Sequence, residues 1–254
     1  MVILKSLQEI ETMRKAGAVV ARTLQAVREA VRPGVSLAEL DKLAEATIRG
    51  EGAVPSFLGY QPHFAETPFQ GTLCLSPNDV IVHGIPDKTR VREGDILSID
   101  CGAIVDGYHA DSAVTVPVGE VDEDARRLME VTERALWAGI EQARAGNRMG
   151  DVSSAIGAVA EAAGYGIVQD FGGHGVGHAL HEAPEVLNYG RPGRGLRLRP
   201  GLVIALEPMF NEGAHEYVLR DDGWALATAD GSRSAHFEHT IAVLDDGPEV
   251  LTKL

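Results

Sequence analysis
The sequence predicts an α+β protein, and three observations carry that prediction. The order helix, helix, strand, hairpin runs through the chain twice. The two passes also share wording: Arg92-Glu-Gly-Asp-Ile-Leu-Ser-Ile-Asp100 matches Arg199-Pro-Gly-Leu-Val-Ile-Ala-Leu-Glu207 position by position, and Asp111-Ser-Ala-Val-Thr-Val116 matches Glu238-His-Thr-Ile-Ala-Val243. Finally, 254 residues with 44% hydrophobic content suffice for one large core. A single domain over residues 1–254 is therefore expected, built from an internal repeat of roughly 6–118 and 122–248.

Taken in order, Ser6 followed by Glu9 is a capping box, and Leu7, Ile10, Val20, Leu24, Val27 and Val31 recur near helical spacing. A first helix should end near Arg32, before Pro33-Gly34. Ser36 and Glu39 repeat the signal, and Leu37, Leu40, Leu43, Ala44 and Ile48 give a second helix its buried stripe, up to Gly50 or Gly52. From Ala53 to Thr72 the composition turns to Pro, Gly and the aromatics Phe57, Tyr60, Phe64 and Phe69, a long loop whose rings argue against disorder. Residues 74–86 read as short strands around a turn, and 94–100 as an apolar strand closing on Asp100. Asp106-Gly107 is a turn signal joining 96–104 to 108–116, and pairing about residue 106 sets Asp100 and Asp111 roughly opposite each other. Two more helices follow, from about Asp122 to Ala145 and from Asp151 to Ala163. Residues 201–208 form another apolar strand reaching Glu207, and Ser234 to Val243 a final strand carrying Glu238.

Between the later helices and those strands lies Phe171-Gly-Gly-His-Gly-Val-Gly-His-Ala-Leu-His-Glu-Ala-Pro184, which holds three of the nine histidines. Each of its early glycines would cost a helix up to about 1 kcal/mol, so His174 and His178 are not a helical i, i+4 pair and the segment should be extended. The glycines are expected to leave room for metal and substrate beside the strand. Facing side chains in a hairpin have Cβ atoms about 4.5 to 5.5 Å apart, and two carboxylates that close repel unless a cation separates them or one holds a proton. If the halves pack about a pseudo-two-fold axis, Asp100, Asp111, Glu207 and Glu238 converge on the sheet between them. The plainer alternative is four unrelated strand-end acids on a solvated edge. Four carboxylates and a histidine suit divalent Mn, Fe, Co or Zn better than they suit a structural thiolate zinc site. Two ions about 3.5 to 4 Å apart would offset the repulsion, activate a water and polarise a carbonyl. Neutral His83 and His181 would donate to a tetrahedral intermediate or a leaving nitrogen.

The succession Val82-His83-Gly-Ile-Pro86, Ile99-Asp100, Asp111-Ser112, Gly173-His174-Gly-Val-Gly177 with His181-Glu-Ala-Pro184, Glu207-Pro208-Met209 and Phe237-Glu238-His239-Thr240 closely resembles the type I methionine aminopeptidases. The resemblance runs from the first helix to the last strand, and five ligand positions in the right order are specific where each short motif alone is not. It implies a pita-bread fold, with two related halves placing helices against a curved, mainly antiparallel sheet. It implies that Asp100 binds one metal ion, that His174 and Glu207 help hold the other, and that Asp111 and Glu238 bridge them. Glu207 is implied as the base, His181 as a contact to the scissile amide and His83 as a contact to the leaving side or intermediate. The implied reaction is removal of an initiator methionine before a small second residue. Cys74, Tyr60, Leu180 and Trp224 are implied as the lining of the methionine pocket, with Phe57 and Phe64 beside them. The chain departs from the family in a longer 53–73 connection, in Phe57 where a cysteine is frequent, in Leu180 for a frequent Phe and in His236 for a frequent Gln.

A net charge of −14 and a pI near 5.0 argue against reading nucleic acid. The apolar Met1 to Leu4 is followed at once by Lys5, Glu9, Glu11, Arg14 and Lys15, so neither a signal segment nor a membrane span is expected, and the cytoplasm is. Cys74 and Cys101 read as buried thiols. The expected partner is a peptide or nascent-chain N-terminus, with a transient ribosome contact, and the expected state is a monomer. His178 is assigned to neither metal nor substrate; a supporting role stays open for His109, His239 should pack on the far face, and His63, His215 and His236 are placed on the surface. Two alternatives stay open: a proline-directed aminopeptidase or dipeptidase on the same fold, and a metal-free binding protein that uses the cleft for docking.

Overall fold
The computed structural model describes residues 2–62 and 65–253. His63 and Phe64, placed above on the surface and beside the pocket, lie outside the described residues. Helix α1 spans Leu7–Ala30 and α2 spans Leu37–Gly50. Each opens on the expected box: the Ser6 N–H donates to the Glu9 carboxylate at 2.7 Å, the Ser36 N–H to Glu39 at 2.9 Å, and each serine hydroxyl accepts the reciprocal N–H at 3.3 Å. The first helix stops short of Arg32, since the residue before a proline is driven out of the helical region. Helix α3 spans Glu123–Gln142 with Asp122 as its cap, Oδ1 accepting the Ala125 N–H at 2.8 Å. Helix α4 spans Met149–Ala163 and begins two residues before Asp151, which sits in the first turn and accepts the Arg148 N–H at 2.7 Å. Among the described residues no helix is long and apolar enough to cross a membrane.

The first half centres on a hairpin of Ile96–Val105 and Tyr108–Pro117. Asp106 and Gly107 both take positive φ, 49° and 81°, the backbone that a two-residue turn between right-twisted strands requires. The pairing Val105↔Tyr108 places the axis between residues 106 and 107, so Asp100 pairs with Ala113 and Asp111 with Gly102. The two aspartates are therefore diagonal neighbours on one face, not opposite partners as expected. Leu73–Pro77 and Val54–Pro55 add antiparallel strands along Ile96–Val105, and α1 and α2 cover the back of the hairpin through Val20, Leu24, Leu40 and Ile48.

In the second half, Pro248–Val250, His239–Val243, Val203–Leu206, Gly172–Gly175 and Glu182–Leu187 form a five-stranded antiparallel sheet, and α3 and α4 pack into the neighbouring core. The expected strand over 234–243 is two strands, and it is not the last. Ser234–His236 pairs with Met209–Asn211 in another sheet, while His239–Val243 pairs with Val203–Leu206. Pro208, with no N–H to donate, interrupts the facing strand at the same level. Glu207 and Glu238 occupy these two interruptions.

Hydroxyls stitch the halves together between them. Glu238 and Ala113 exchange backbone hydrogen bonds of 2.9 and 3.3 Å, Thr240 Oγ1 accepts the Asp111 N–H at 3.0 Å and donates to its carbonyl at 2.8 Å, and Ser112 Oγ donates to the Glu238 carbonyl at 2.5 Å.

The glycines of the histidine segment line the cavity at Gly172 and Gly173, and they also serve this packing, which the sequence did not announce. A Cβ at Gly173 would lie 2.1 Å from the Ala205 carbonyl oxygen, and one at Gly175 would lie 2.3 Å from that of Ala183. Both clashes are with backbone of adjacent chain, so neither yields by a side-chain turn. Gly173→Ala should lower stability by about 1 to 3 kcal/mol, a fall of several degrees in Tm in thermal unfolding. An unchanged Tm would mean that the strands have room to part.

Candidate metal centre and substrate cavity
Asp100 and Asp111 on the hairpin, Glu207 and Glu238 at the strand interruptions and His174 on Gly172–Gly175 all line one cavity of about 480 Å³. His83, His181, Tyr60, Cys74, Leu180 and Trp224 line the same cavity, together with Phe57. Every residue that sequence reasoning assigned to the site is thus brought together, apart from Phe64. Phe57, Phe69, Cys74, Leu180 and Trp224 form one buried cluster, which gives the cavity an apolar wall. Cys74 and Cys101 are the buried free thiols expected.

His174 Nδ1 lies 2.9 Å from the Gly175 carbonyl oxygen, which can only accept, so Nδ1 carries the proton and Nε2 keeps its lone pair. That atom faces Glu207 Oε1 at 3.8 Å and Asp111 Oδ2 at 4.0 Å. Donor atoms of Asp111, His174 and Glu238 lie within 4.8 Å of one another, and those of Glu207, His236 and Glu238 do the same. Asp100 belongs to neither triad. Asp100 Oδ1, Asp111 Oδ1 and Glu238 Oε1 are buried without a hydrogen-bond partner. Burial pushes Glu207 up to about 8, and burial reinforced by Glu207 pushes Asp100 up to about 8. Asp111 and Glu238 are also raised, by burial first and neighbouring carboxylates second. Four buried acids that resist ionising together, with orphaned oxygens aimed at a shared space, fit a divalent cation as the missing partner. A neutral imidazole and oxygen donors match borderline transition ions.

Burial keeps the cavity's histidines neutral, lowering His83 and His174 to about 4 and His181 to about 3. His181 Nδ1 is 2.8 Å from the Tyr60 hydroxyl, and its ring stands over His174 with centroids 4.2 Å apart. His83 takes a positive φ of 62°, a conformation that costs a non-glycine residue about 1 to 3 kcal/mol. Its ring meets the edge of Trp224.

The remaining histidines separate cleanly. His178 lies outside the cavity, with Nδ1 2.9 Å from the Gly107 carbonyl oxygen and its ring on Tyr108. His109 contacts Ser56 Oγ at 2.9 Å and its N–H donates to the Gly177 carbonyl. His239 packs against Trp137 on the far face as expected, and His215 is exposed. His236 is the residue that sequence reasoning missed. It is 1% exposed, with Nε2 3.5 Å from Glu207 Oε2 and 3.9 Å from Glu238 Oε2. The available signal was its place two residues before Glu238, which puts both on one side of an extended chain.

The family model for Metallopeptidase family M24 matches residues 11–245. A methionine aminopeptidase of Clostridium perfringens is 47% identical over 252 residues, covering 99% of each chain. The chain belongs to family M24, among the methionine aminopeptidases. The type I resemblance read from the motifs therefore holds along the whole chain. A solved methionine aminopeptidase structure from Thermotoga maritima superposes at a TM-score of 0.96, with 42% identity and full coverage of both chains. The α+β, pita-bread architecture is thus this family's fold. A prolidase from Pyrococcus furiosus shares the fold alone, with a TM-score of 0.77 at 24% identity over 99% of this chain and 66% of that one. In an M24 metallopeptidase the acid and histidine cluster is the part able to bind metal.

Proposed function
We propose that this chain removes the N-terminal initiator methionine from nascent proteins and peptides by hydrolysis, preferring a small second residue. One observation carries the reading: the five acid and histidine candidates line the same cavity as the apolar cluster of Phe57, Cys74, Leu180 and Trp224. A flexible thioether suits such a wall, with favourable sulfur contacts to aromatic rings. Tyr60 completes that pocket beside His181.

Asp100 would hold one divalent ion, His174 and Glu207 the other, and Asp111 and Glu238 both. Two ions of Mn, Fe, Co or Zn held there would supply a Lewis acid for the scissile carbonyl and would draw the pKa of an attacking water towards neutrality. Glu207 takes the proton of that water. With Tyr60 donating to Nδ1, neutral His181 carries its own proton on Nε2 and offers it to the scissile amide. His83, neutral and held by its backbone, contacts the leaving side or the intermediate. Residues 1–254 act as a single catalytic unit, a cytoplasmic monomer that meets nascent chains in passing at the ribosome; light scattering that gave a dimer mass would refute the monomer.

The deciding experiment offers Met-Gly, Met-Ala and Xaa-Pro peptides to protein reloaded with each metal. Methionine release from the first two is expected. Cleavage confined to Xaa-Pro peptides would replace this reading with a proline-directed one, and peptide binding without turnover in any metal would replace it with a docking role.

A further inference from the structure
We propose that His236 is a positioning residue: it donates Nε2–H to Glu207 Oε2 and so holds Oε1 towards His174. The proposal rests on the reading above, in which Glu207 is both ligand and base. The two oxygens of Glu207 are turned to different imidazoles, Oε1 to His174 Nε2 at 3.8 Å and Oε2 to His236 Nε2 at 3.5 Å. His236 Nε2 is buried with no hydrogen-bond partner, and its other near neighbour is also a carboxylate oxygen, Glu238 Oε2 at 3.9 Å. With Glu207 and Glu238 ionised as metal ligands, an Nε2 lone pair would be repelled by both, whereas an N–H is attracted. The neutral ring therefore carries its proton on Nε2. The 3.5 Å separation is longer than a good N–H···O bond, and a small rotation of the Glu207 carboxyl closes it.

The backbone that carries the imidazole is fixed from behind. The His236 backbone N–H donates to Thr115 Oγ1 at 2.9 Å, the same hydroxyl donates to the His236 carbonyl at 2.8 Å, and Ser98 Oγ contacts that hydroxyl at 2.8 Å. His236 also pairs with Met209, two residues beyond Glu207, on the antiparallel ladder. Asn188 Nδ2 donates to the Glu207 carbonyl at 2.9 Å and steadies the base's own backbone. Ring and carboxylate thus sit on elements that cannot drift apart. Outer partners that orient metal ligands change affinity or activity by about 10 to 100-fold when removed.

The test compares the full-length wild-type chain with His236→Leu and His236→Gln, each checked for a cooperative unfolding transition. Calorimetric titration with Mn²⁺ reads affinity, pulsed EPR of bound Mn²⁺ counts directly coordinated imidazole nitrogens, and Met-Ala peptides give kcat and KM. Expected are a loss of about 10 to 100-fold in affinity and in kcat for the leucine variant, with KM little changed, and recovery in the glutamine variant, which keeps an N–H donor. The count should stay at one imidazole in all three proteins. Wild-type affinity and kcat in the leucine variant overturn the proposal. So does a count that falls from two imidazoles to one in both variants, because His236 is then a ligand. A wild-type chain that takes up no divalent ion overturns the parent reading as well, a result distinct from either.

Discussion

Glu207→Gln leaves a folded protein whose kcat falls by about 10² to 10⁴-fold while KM stays near the wild-type value. Glutamine keeps the shape of the side chain and one oxygen, so contacts that depend on size persist. It cannot accept a proton. The loss therefore falls on a step in which water is deprotonated, and kcat and kcat/KM drop together. The same substitution should raise the Tm of the metal-free protein. One of four mutually repelling buried acids has become neutral, and burial alone already pushes Glu207 up to about 8. Activity and metal-free stability moving in opposite directions distinguishes a poised base from a structural acid, whose removal lowers both. Single-turnover kinetics and calorimetry on the same preparation make the measurement. Retained turnover would move the base elsewhere in the cavity.

What the sequence disclosed, and what it hid, divides along physical lines. Helices were legible because Ser6 with Glu9 and Ser36 with Glu39 are local signals, complete within four residues. The Asp106-Gly107 turn was equally local, yet the register around it was not: moving the axis to lie between Asp106 and Gly107 turned opposite aspartates into diagonal ones. Short strands such as Tyr217–Leu219 and Leu226–Thr228 left no periodicity to read, since three residues cannot establish one. The four carboxylates were legible because they recur at matching places in the two halves, and His174 because it sits in a glycine-rich motif. His236 was not, because a lone histidine shows nothing of its burial, and the Thr115 clamp that fixes it reaches across 121 residues of chain. The glycines were read for only one set of neighbours, as the Ala205 and Ala183 carbonyls that also crowd them belong to strands whose pairing no local motif announces.

The metal-free protein should lose stability as pH rises from about 6.5 to 8.5, and a divalent ion should reverse that trend. Asp100 and Glu207 rise to about 8 from 3.8 and 4.5, Asp100 through burial and then Glu207, Glu207 through burial. A carboxyl raised in this way keeps a proton that the unfolded chain has already released. Its contribution is complete below the unfolded value and is gone once pH passes the folded one. The buried histidines run the other way: burial lowers His83 and His174 to about 4, and His181 and His236 to about 3, from 6.5, so they oppose stability only as pH falls below 6.5. Above that value they are neutral in both states and the carboxyls act alone. Each additional proton held by the folded state is worth about 1.4 kcal/mol per pH unit, or about 3 to 6 °C of Tm in a chain of this size. An ion in the cluster takes the protons' place, and at 100 times its Kd it adds about 2.7 kcal/mol, a gain that grows with pH because its ligands must first be deprotonated. Scanning calorimetry of chelator-treated and reloaded protein across that range makes the comparison. A flat metal-free curve would mean that the four carboxyls are not in conflict, and parallel curves with and without ion would place the ion away from them.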